Sequence, residues 1–159
     1  NRKIETRTDG LGISFVNKDA KYSLIKVCNP YCGPCAKAHP VLDDLLREGK
    51  INLQVLFTAS TDEGDRRNKP VKHFLALDEK DNMQAYEAMD RWYLAKEKNY
   101  EQFAEKYELN GELLQQDHKI LAMNEWCNIE KITHTPTIFI NGYELPTEYS
   151  IEDLREVLN

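Results

Sequence analysis

The chain has 159 residues, of which 41% are hydrophobic and 30% charged, and its net charge is −6. This length and composition predict a soluble globular protein with its own core, organised as one domain over residues 1–159. The acidic excess and the lack of a basic stripe argue against nucleic-acid binding. No apolar run approaches the ~20 residues of a membrane span, and the polar start at Asn1 has no signal-peptide core. We expect any targeting or membrane-anchoring segment to lie upstream of Asn1.

The first half of the chain predicts a strand–helix–strand unit. Residues 22–28 are rich in aliphatic and β-branched side chains and predict a buried strand, and residues 51–59 predict a second one. Between them, apolar residues three and four positions apart predict a helix from Cys32 to about Glu48. Short links between these elements imply a parallel strand pair with a right-handed crossover. Residues 12–16 are a weaker candidate for a further strand.

The second half predicts a helical block and then a hairpin. After a polar loop, helical patterns with a break at Asn110-Gly111 cover 71–79, 82–97, 99–108 and 112–127. Near the end, the sequence predicts a strand at 137–141, a tight turn at Asn141-Gly142, a return strand at 143–145 and a last helix from Ser150 to about 158. The expected fold class is α/β, a central mixed β-sheet flanked by helices with a helical insertion at about residues 62–128.

Three of the four cysteines, Cys28, Cys32 and Cys35, lie within eight residues, which indicates a local site rather than a disulfide framework. Cys32 and Cys35 form a Cys-Gly-Pro-Cys motif where the predicted strand gives way to the helix. N–H groups at a helix start favour a thiolate at Cys32, which can attack a disulfide. Cys35 lies one turn further on, within reach of the mixed disulfide. Gly33 permits close approach of a substrate backbone, and Pro34 makes the turn rigid.

This motif after a hydrophobic strand resembles the active site of thioredoxins. About a hundred residues downstream, Thr135-Pro136 precedes a strand and the Asn-Gly turn, which is similar to the cis-proline loop of the thioredoxin-like superfamily. Two motifs in this order are more specific than a lone Cys-x-x-Cys. The resemblance covers roughly residues 20–60 and 112–159. The long helical block between them resembles the insertion of the bacterial Dsb-type branch.

The resemblance implies a role for each matched residue. Cys32 would be the nucleophile, Cys35 the resolving thiol, and Pro136 a cis-proline packed against the disulfide. Backbone groups of Thr135 would pair with an extended substrate peptide, in the manner of strand addition. Tyr31 flanks the nucleophile and would line the same substrate-binding surface as Gly33 and Pro34, or else cover the start of the helix.

One position departs from the family pattern. The family often carries a buried acid six residues before the nucleophilic cysteine, and this chain has Lys26 there. A lysine cannot act as a carboxylate proton acceptor for Cys35. If Lys26 is buried, its charge favours thiolates, and if it lies on the other face of the strand, it points to solvent. The residue that accepts the proton is therefore open.

Several other residues have a functional and a structural reading. Cys28 could be a third redox thiol or a small core side chain, and His134 could tune Cys32 or be a plain loop residue. Cys127 lies on an apolar helix stripe and predicts core packing, although a Cys28–Cys127 bridge is conceivable. Zinc could use Cys28, Cys32, Cys35 and His39, but a structural zinc site usually recruits a second, distant pair of ligands. We expect neither a metal nor a cofactor.

The sequence thus predicts a protein-disulfide oxidoreductase that acts on protein or peptide thiols and disulfides and is restored by a redox recycling partner. Gly-Pro between the cysteines is the thioredoxin dipeptide and favours reduction, because thioredoxin lies at the reducing end of the range. The insertion favours an exported oxidase or isomerase, hence a periplasmic or exported location. The alternatives are a peptide-binding module without turnover, and the redox domain of a larger membrane disulfide-forming protein whose recycling partner is membrane-bound.

Overall fold

The computed structural model describes residues 2–146 and 148–158. A five-stranded mixed sheet lies at its centre, in the order β1-β3-β2-β4-β5. Strands β2 and β3 are parallel, and the other neighbouring pairs are antiparallel. The strands are β1 (Ile13–Phe15), β2 (Tyr22–Cys28), β3 (Ile51–Phe57), β4 (Thr137–Ile140) and β5 (Tyr143–Glu144). The predicted α/β class with a mixed sheet is confirmed.

In the described residues six α-helices flank this sheet, and α2 to α5 all lie between β3 and β4 in the sequence. They are α1 (Gly33–Arg47), α2 (Asn68–Lys80), α3 (Asn82–Leu94), α4 (Tyr100–Lys106), α5 (Asp117–Ile129) and α6 (Leu154–Val157). The expectation of one helix over 112–127 is wrong. A 3₁₀ turn at Glu112–Gln115 precedes α5, and the buried Gln116 side chain donates from Nε2 to the Glu112 carbonyl at 2.9 Å. The Gln116 side chain thus bonds to a carbonyl that the Gln116 backbone N–H would use in a continuous α-helix.

Helix α1 carries an apolar face onto the sheet because its buried residues recur at helical spacing. Cys35, Ala38, Val41, Leu42 and Leu45 are all buried. Pro34 lies in the first turn, where a backbone N–H has no partner to lose. The helix therefore begins directly after Cys32, and its first turn presents Cys35 to the interior.

The β4–β5 hairpin is fixed by the Asn141-Gly142 turn. Both residues have positive φ, 49° and 89°, as a two-residue hairpin turn with native twist requires. The Asn141 backbone N–H donates to the Ser23 carbonyl, and its side-chain Oδ1 accepts from the Ser23 N–H, both at 2.8 Å. These bonds tie the hairpin to β2, so the segment that enters β4, Thr135-Pro136, is held beside the strand that leads to the cysteines.

The loop between β3 and α2 is organised by the carboxylate of Asp65. It accepts hydrogen bonds from the Ser60 backbone N–H at 3.0 Å and hydroxyl at 2.9 Å, and from the Arg67 guanidinium at 2.8 and 2.9 Å. The hydrogen bonds from Arg67 and Ser60 hold the pKa of this carboxyl far below its ordinary value of 3.8. The loop is therefore stabilised by the ionised form of Asp65.

Asp65→Asn is expected to make the free energy of unfolding depend less on pH in the acid range. Because the folded-state pKa of Asp65 is depressed, its contribution is present above the ordinary value of 3.8 and is lost as the pH falls below it. At neutral pH the variant should lose about 1.5–3 kcal/mol, the usual worth of hydrogen bonds to a charged group. Urea unfolding of both proteins from neutral pH downwards measures this, and the two curves should converge in acid. The neighbouring Asp62→Asn is the control. If the free energies of unfolding of Asp65→Asn and wild type change in parallel with pH, the expectation is wrong.

Candidate active site

Cys32 lies at the junction of β2 and α1, as the N-terminal cap of the helix. Its Sγ accepts a hydrogen bond from the Cys35 backbone N–H at 3.3 Å, and its thiol donates to the Thr135 carbonyl at 3.4 Å. All four cysteines are free thiols, and Cys32 alone among them is partly exposed. Helix-start donors favour the anionic form of a sulfur at this position. Cys32 is therefore a partly exposed sulfur that contacts a backbone donor at a helix start and a backbone carbonyl of a distant loop.

Cys35 lies one helical turn further on and is fully buried. Burial raises the pKa of the Cys35 thiol strongly, and the neighbouring Cys28 and the hydrogen bond with Cys32 raise it further. A backbone hydrogen bond from Asn29 and the charge of Lys26 act in the opposite direction. Cys35 is thus held as a protonated thiol, and it must lose its proton before it can attack another sulfur.

Thr135 and Pro136 face the cysteines from the loop before β4. The peptide bond between them is cis, and the bond between the Cys32 thiol and the Thr135 carbonyl joins residues 103 positions apart. Pro34 and Pro136 line one groove of about 370 Å³, together with His134. Other residues of its wall are Ile138, Leu145, Pro146 and Tyr149. A largely apolar groove therefore begins at the Cys-Gly-Pro-Cys turn. The exposed Gly33 does not line it.

Tyr31 faces away from this groove. Its ring packs edge-on against Trp92, with 5.5 Å between ring centroids, and the Arg66 guanidinium lies 4.2 Å from the Tyr31 ring centroid. A second, more polar cavity is lined by Tyr31, Arg66, Lys69 and Glu101. The structure thus brings Pro34 and Pro136 together but separates Tyr31 from them.

Lys26 is buried, with 2% of its surface exposed. Its Nζ donates to the Cys35 carbonyl at 3.1 Å and lies 4.7 Å from the centroid of the Tyr93 ring. In the described ranges, no carboxylate lies within ion-pair distance of this ammonium. The charge instead acts on the thiols, because it lowers the pKa of both Cys28 and Cys35. Of the two orientations left open by the sequence, the structure has the buried one.

Helix α3 supplies a layer behind the cysteines that sequence reasoning missed. The Tyr93 hydroxyl donates to Cys28 Sγ at 3.2 Å and to the Asn29 carbonyl at 3.3 Å, and Trp92 Nε1 donates to the Pro30 carbonyl at 2.7 Å. The sequence predicts both aromatics as core of the helical block. They are buried, but their polar ends also hold the segment before Cys32. No spacing signal in the sequence connects positions more than sixty residues apart.

The remaining candidates have contacts with groups other than Cys32 and Cys35. His39 pairs with Asp90 at 2.8 Å and stacks on Tyr93, and the exposed His134 contacts the Thr133 hydroxyl at 3.3 Å. Cys127 is 7% exposed, and burial raises its pKa to about 11. Among residues 2–146 and 148–158, no three His, Cys, Asp or Glu side chains are placed to hold one metal ion. Nor does any helix in this part of the chain have the length and apolar character to cross a membrane.

Comparison with known proteins agrees with this geometry. The model of the family described as Thioredoxin matches residues 11–159, whereas no curated protein matches the sequence significantly. Among solved structures, BdbD from Bacillus subtilis has a TM-score of 0.71 at 10% identity, over 92% of this chain and 90% of that one. The thiol-disulfide exchange protein alpha-DsbA2 from Wolbachia pipientis has 0.72 at 14%, over 92% and 85%. The catalytic domain of ScsC from Proteus mirabilis has 0.71 at 17%, over 92% and 86%. The chain belongs to the thioredoxin family.

Proposed function

We propose that this chain is a thiol–disulfide oxidoreductase that exchanges disulfides with protein or peptide substrates through Cys32 and Cys35. The observation that carries the proposal is the asymmetry of the pair. Cys32 is partly exposed and accepts a backbone N–H at a helix start, whereas Cys35 is buried one turn away with a raised pKa. Cys32 is suited to attack a substrate disulfide, and Cys35 is suited to resolve the mixed disulfide that forms.

The reaction follows from this asymmetry. The Cys32 thiolate attacks one sulfur of a substrate disulfide, forming a mixed disulfide and releasing the other substrate sulfur as a thiolate. Cys35 then loses its proton and attacks Cys32 Sγ. The bond between Cys32 and the substrate breaks, the Cys32–Cys35 disulfide forms, and the substrate leaves with both sulfurs reduced. The same steps in reverse oxidise a dithiol substrate.

The groove beside Pro136 suits an extended peptide. Its walls are mostly apolar side chains, and Thr135 offers a carbonyl at the reacting sulfur. A substrate strand paired with Thr135 would place its cysteine opposite Cys32. Gly33 is exposed, and no atom lies within 4 Å of the position that a Cβ would take there, which leaves room for a substrate backbone. We assign Pro34, Thr135 and Pro136 to substrate binding, and His134 and Cys28 to positions that modulate the pair.

We further propose an exported or periplasmic location, with a redox partner that returns the cysteines to their starting state. A thioredoxin-like protein from Salmonella enterica described as periplasmic shares the fold, with a TM-score of 0.70 at 13% identity. Each round of exchange leaves Cys32 and Cys35 in the other redox state, disulfide or dithiol. Continued turnover therefore requires such a partner.

Cys35→Ser is expected to trap the mixed disulfide. With Cys32 intact, attack on the substrate proceeds, but no buried thiol remains at position 35 to release it. Incubation with a disulfide-bonded peptide followed by mass analysis should show one peptide attached per chain, removed by dithiothreitol. The Cys127→Ser variant is the matched control and should release its peptide like wild type. Rapid release by Cys35→Ser would contradict the assignment of Cys35.

A further inference from the structure

A polar cavity of about 440 Å³ lies beside the residue that precedes the nucleophile. Tyr31, which is joined directly to Cys32, lines this cavity, and the cavity shares no lining residue with the apolar groove. Its wall carries three cationic side chains, those of Arg66, Lys69 and Lys98. The reaction described above uses none of the three.

The Tyr31 ring is held in a defined position. The Tyr31 backbone N–H donates to Asn29 Oδ1 at 2.8 Å, and the ring packs edge-on against Trp92, with 5.5 Å between ring centroids. Trp92 is itself buried and anchored, because its Nε1 donates to the Pro30 carbonyl at 2.7 Å. The ring is therefore a fixed aromatic surface directly before the nucleophile.

The guanidinium of Arg66 lies over this ring, 4.2 Å from the ring centroid. A cation in this position is attracted by the negative face of the ring. The loop that carries Arg66 is ordered by its neighbours, since the Asp65 carboxylate binds Ser60 and Arg67. The Asn68 side chain also donates to the Ser60 carbonyl at 2.7 Å. Both the loop and the ring thus place the Arg66 guanidinium beside Tyr31.

Arg66 has donors to offer a ligand. Across residues 2–146 and 148–158, none of its N–H groups donates a hydrogen bond and no carboxylate lies within ion-pair distance of it. Five other arginines of these ranges each pair with a carboxylate, namely Arg2, Arg7, Arg47, Arg67 and Arg155. A guanidinium has five N–H donors in one rigid plane, which match the two oxygens of a carboxylate. The ring engages the face of this group and leaves its donors open.

The carboxylates of the cavity leave an excess of positive charge. Three of them line it, Glu63, Asp65 and Glu101, but Asp65 is already engaged by its own loop. Glu63 and Glu101 are exposed. Burial raises the pKa of Tyr31, the charge of Arg66 lowers it, and that of Glu101 raises it, so both charges act at the ring. The three cations outnumber the two carboxylates that remain for a ligand.

We propose that Arg66, held over the Tyr31 ring, binds the carboxylate of an aspartate or glutamate close to the reacting cysteine of the substrate. The proposal rests on the dithiol exchange described above and gives it a substrate preference. Consecutive Cα atoms are about 3.8 Å apart, and an extended chain advances ~3.3–3.6 Å per residue. A side chain two or three positions from a cysteine joined to Cys32 can therefore reach the ring. Arginine and tyrosine are also the residues that most often carry binding energy at interfaces.

The test uses symmetrical disulfides of two identical short peptides, each with one cysteine. One series carries glutamate, glutamine or lysine two positions before the cysteine, and a second series carries them two positions after it. The protein is the Cys35→Ser variant, and mass analysis follows the rate at which the mixed disulfide forms. In one series the glutamate peptide should react about fivefold faster than the glutamine peptide, as one exposed carboxylate contact allows. The lysine peptide should be the slowest. The preference should decline between about 0.01 M and 1 M salt, because salt screens exposed charges.

Substitution of Arg66 in the same protein assigns the preference to this residue. Arg66→Gln should reduce the ratio of the glutamate rate to the glutamine rate to about one, and Arg66→Lys should give an intermediate ratio, because the charge stays but the planar donors are lost. Arg7→Gln is the matched control. It removes an equal charge from an exposed arginine that does not line the cavity, and it should keep the fivefold ratio.

The outcomes separate this proposal from the dithiol exchange. Equal rates for the glutamate and glutamine peptides in both series, a preference for lysine, or an unchanged ratio in Arg66→Gln overturns the role of Arg66. If no peptide of either series forms a mixed disulfide with Cys32, the dithiol exchange itself is wrong.

Discussion

Cys32→Ser is expected to abolish the reduction of insulin disulfides by dithiothreitol that the wild-type chain catalyses. Cys28 and Cys35 are 0% exposed, and Cys127 is 7% exposed, so none can reach a disulfide on another protein. Burial also raises the pKa of each of these three thiols, and thiols react far more slowly than thiolates. The measurement is the onset of insulin B-chain turbidity, which should fall to the rate without enzyme.

The control for this loss is Cys127→Ser. Cys127 lies on α5, and burial alone accounts for the shift of its pKa, without a contribution from the other thiols. This variant should keep the wild-type rate, which separates loss of the nucleophile from loss of any cysteine. Appreciable turnover by Cys32→Ser would show that another thiol becomes exposed and attacks, and would remove the central assignment.

Lys26→Met is expected to make the protein more stable and less active. An ammonium buried to 2% exposure, with one carbonyl and one aromatic ring as partners, carries a desolvation cost. An apolar side chain of similar length should raise the free energy of unfolding by about 1–4 kcal/mol. Its removal also withdraws the charge that lowers the pKa of Cys35, so less Cys35 thiolate is available to resolve the mixed disulfide.

Two measurements on the same variant check this trade-off. Urea unfolding of the reduced protein should shift to higher denaturant. With Ellman's reagent, Cys32 releases one thionitrobenzoate and Cys35 releases the second by attack on the mixed disulfide, and this second release should slow because the Lys26 charge no longer lowers the pKa of Cys35. Lys18→Met removes an equal charge from an exposed turn and should change neither quantity. A destabilised Lys26→Met with wild-type resolution would mean that Lys26 is a structural contact only.

The sequence predicted the sheet and the helices well where local patterns decide the structure. The β-branched run at 22–28 and the Asn141-Gly142 turn each determine their element without distant partners. The single helix predicted over 112–127 was wrong because periodicity alone continues through Gln116, whereas the buried Gln116 side chain bonds back to Glu112. The burial of a polar side chain by tertiary packing does not alter the spacing of apolar residues, so the sequence pattern does not reveal it.

The candidate site, too, could be predicted only where local sequence patterns decide its structure. The Cys-Gly-Pro-Cys spacing is local, so the sequence identified the reactive pair. The burial of Lys26 could not be predicted, because a strand alternates its faces and only packing decides which one is covered. Contacts of Tyr93 with Cys28, and of Asp90 with His39, join segments 65 and 51 residues apart. Such contacts depend on how α3 packs against β2 and α1, which local sequence patterns do not reveal.

The packing of α3 limits how much of the chain could be deleted to make a smaller redox domain. An engineered chain that joined β3 directly to β4 would keep both cysteines and the cis-proline. It would also leave the carbonyls of Asn29 and Pro30 without the donors that Tyr93 and Trp92 supply, and would uncover the side of Cys28 that Tyr93 shields. Helix α3 therefore supports the segment that precedes Cys32, and a shortened version would need new hydrogen-bond donors for that backbone.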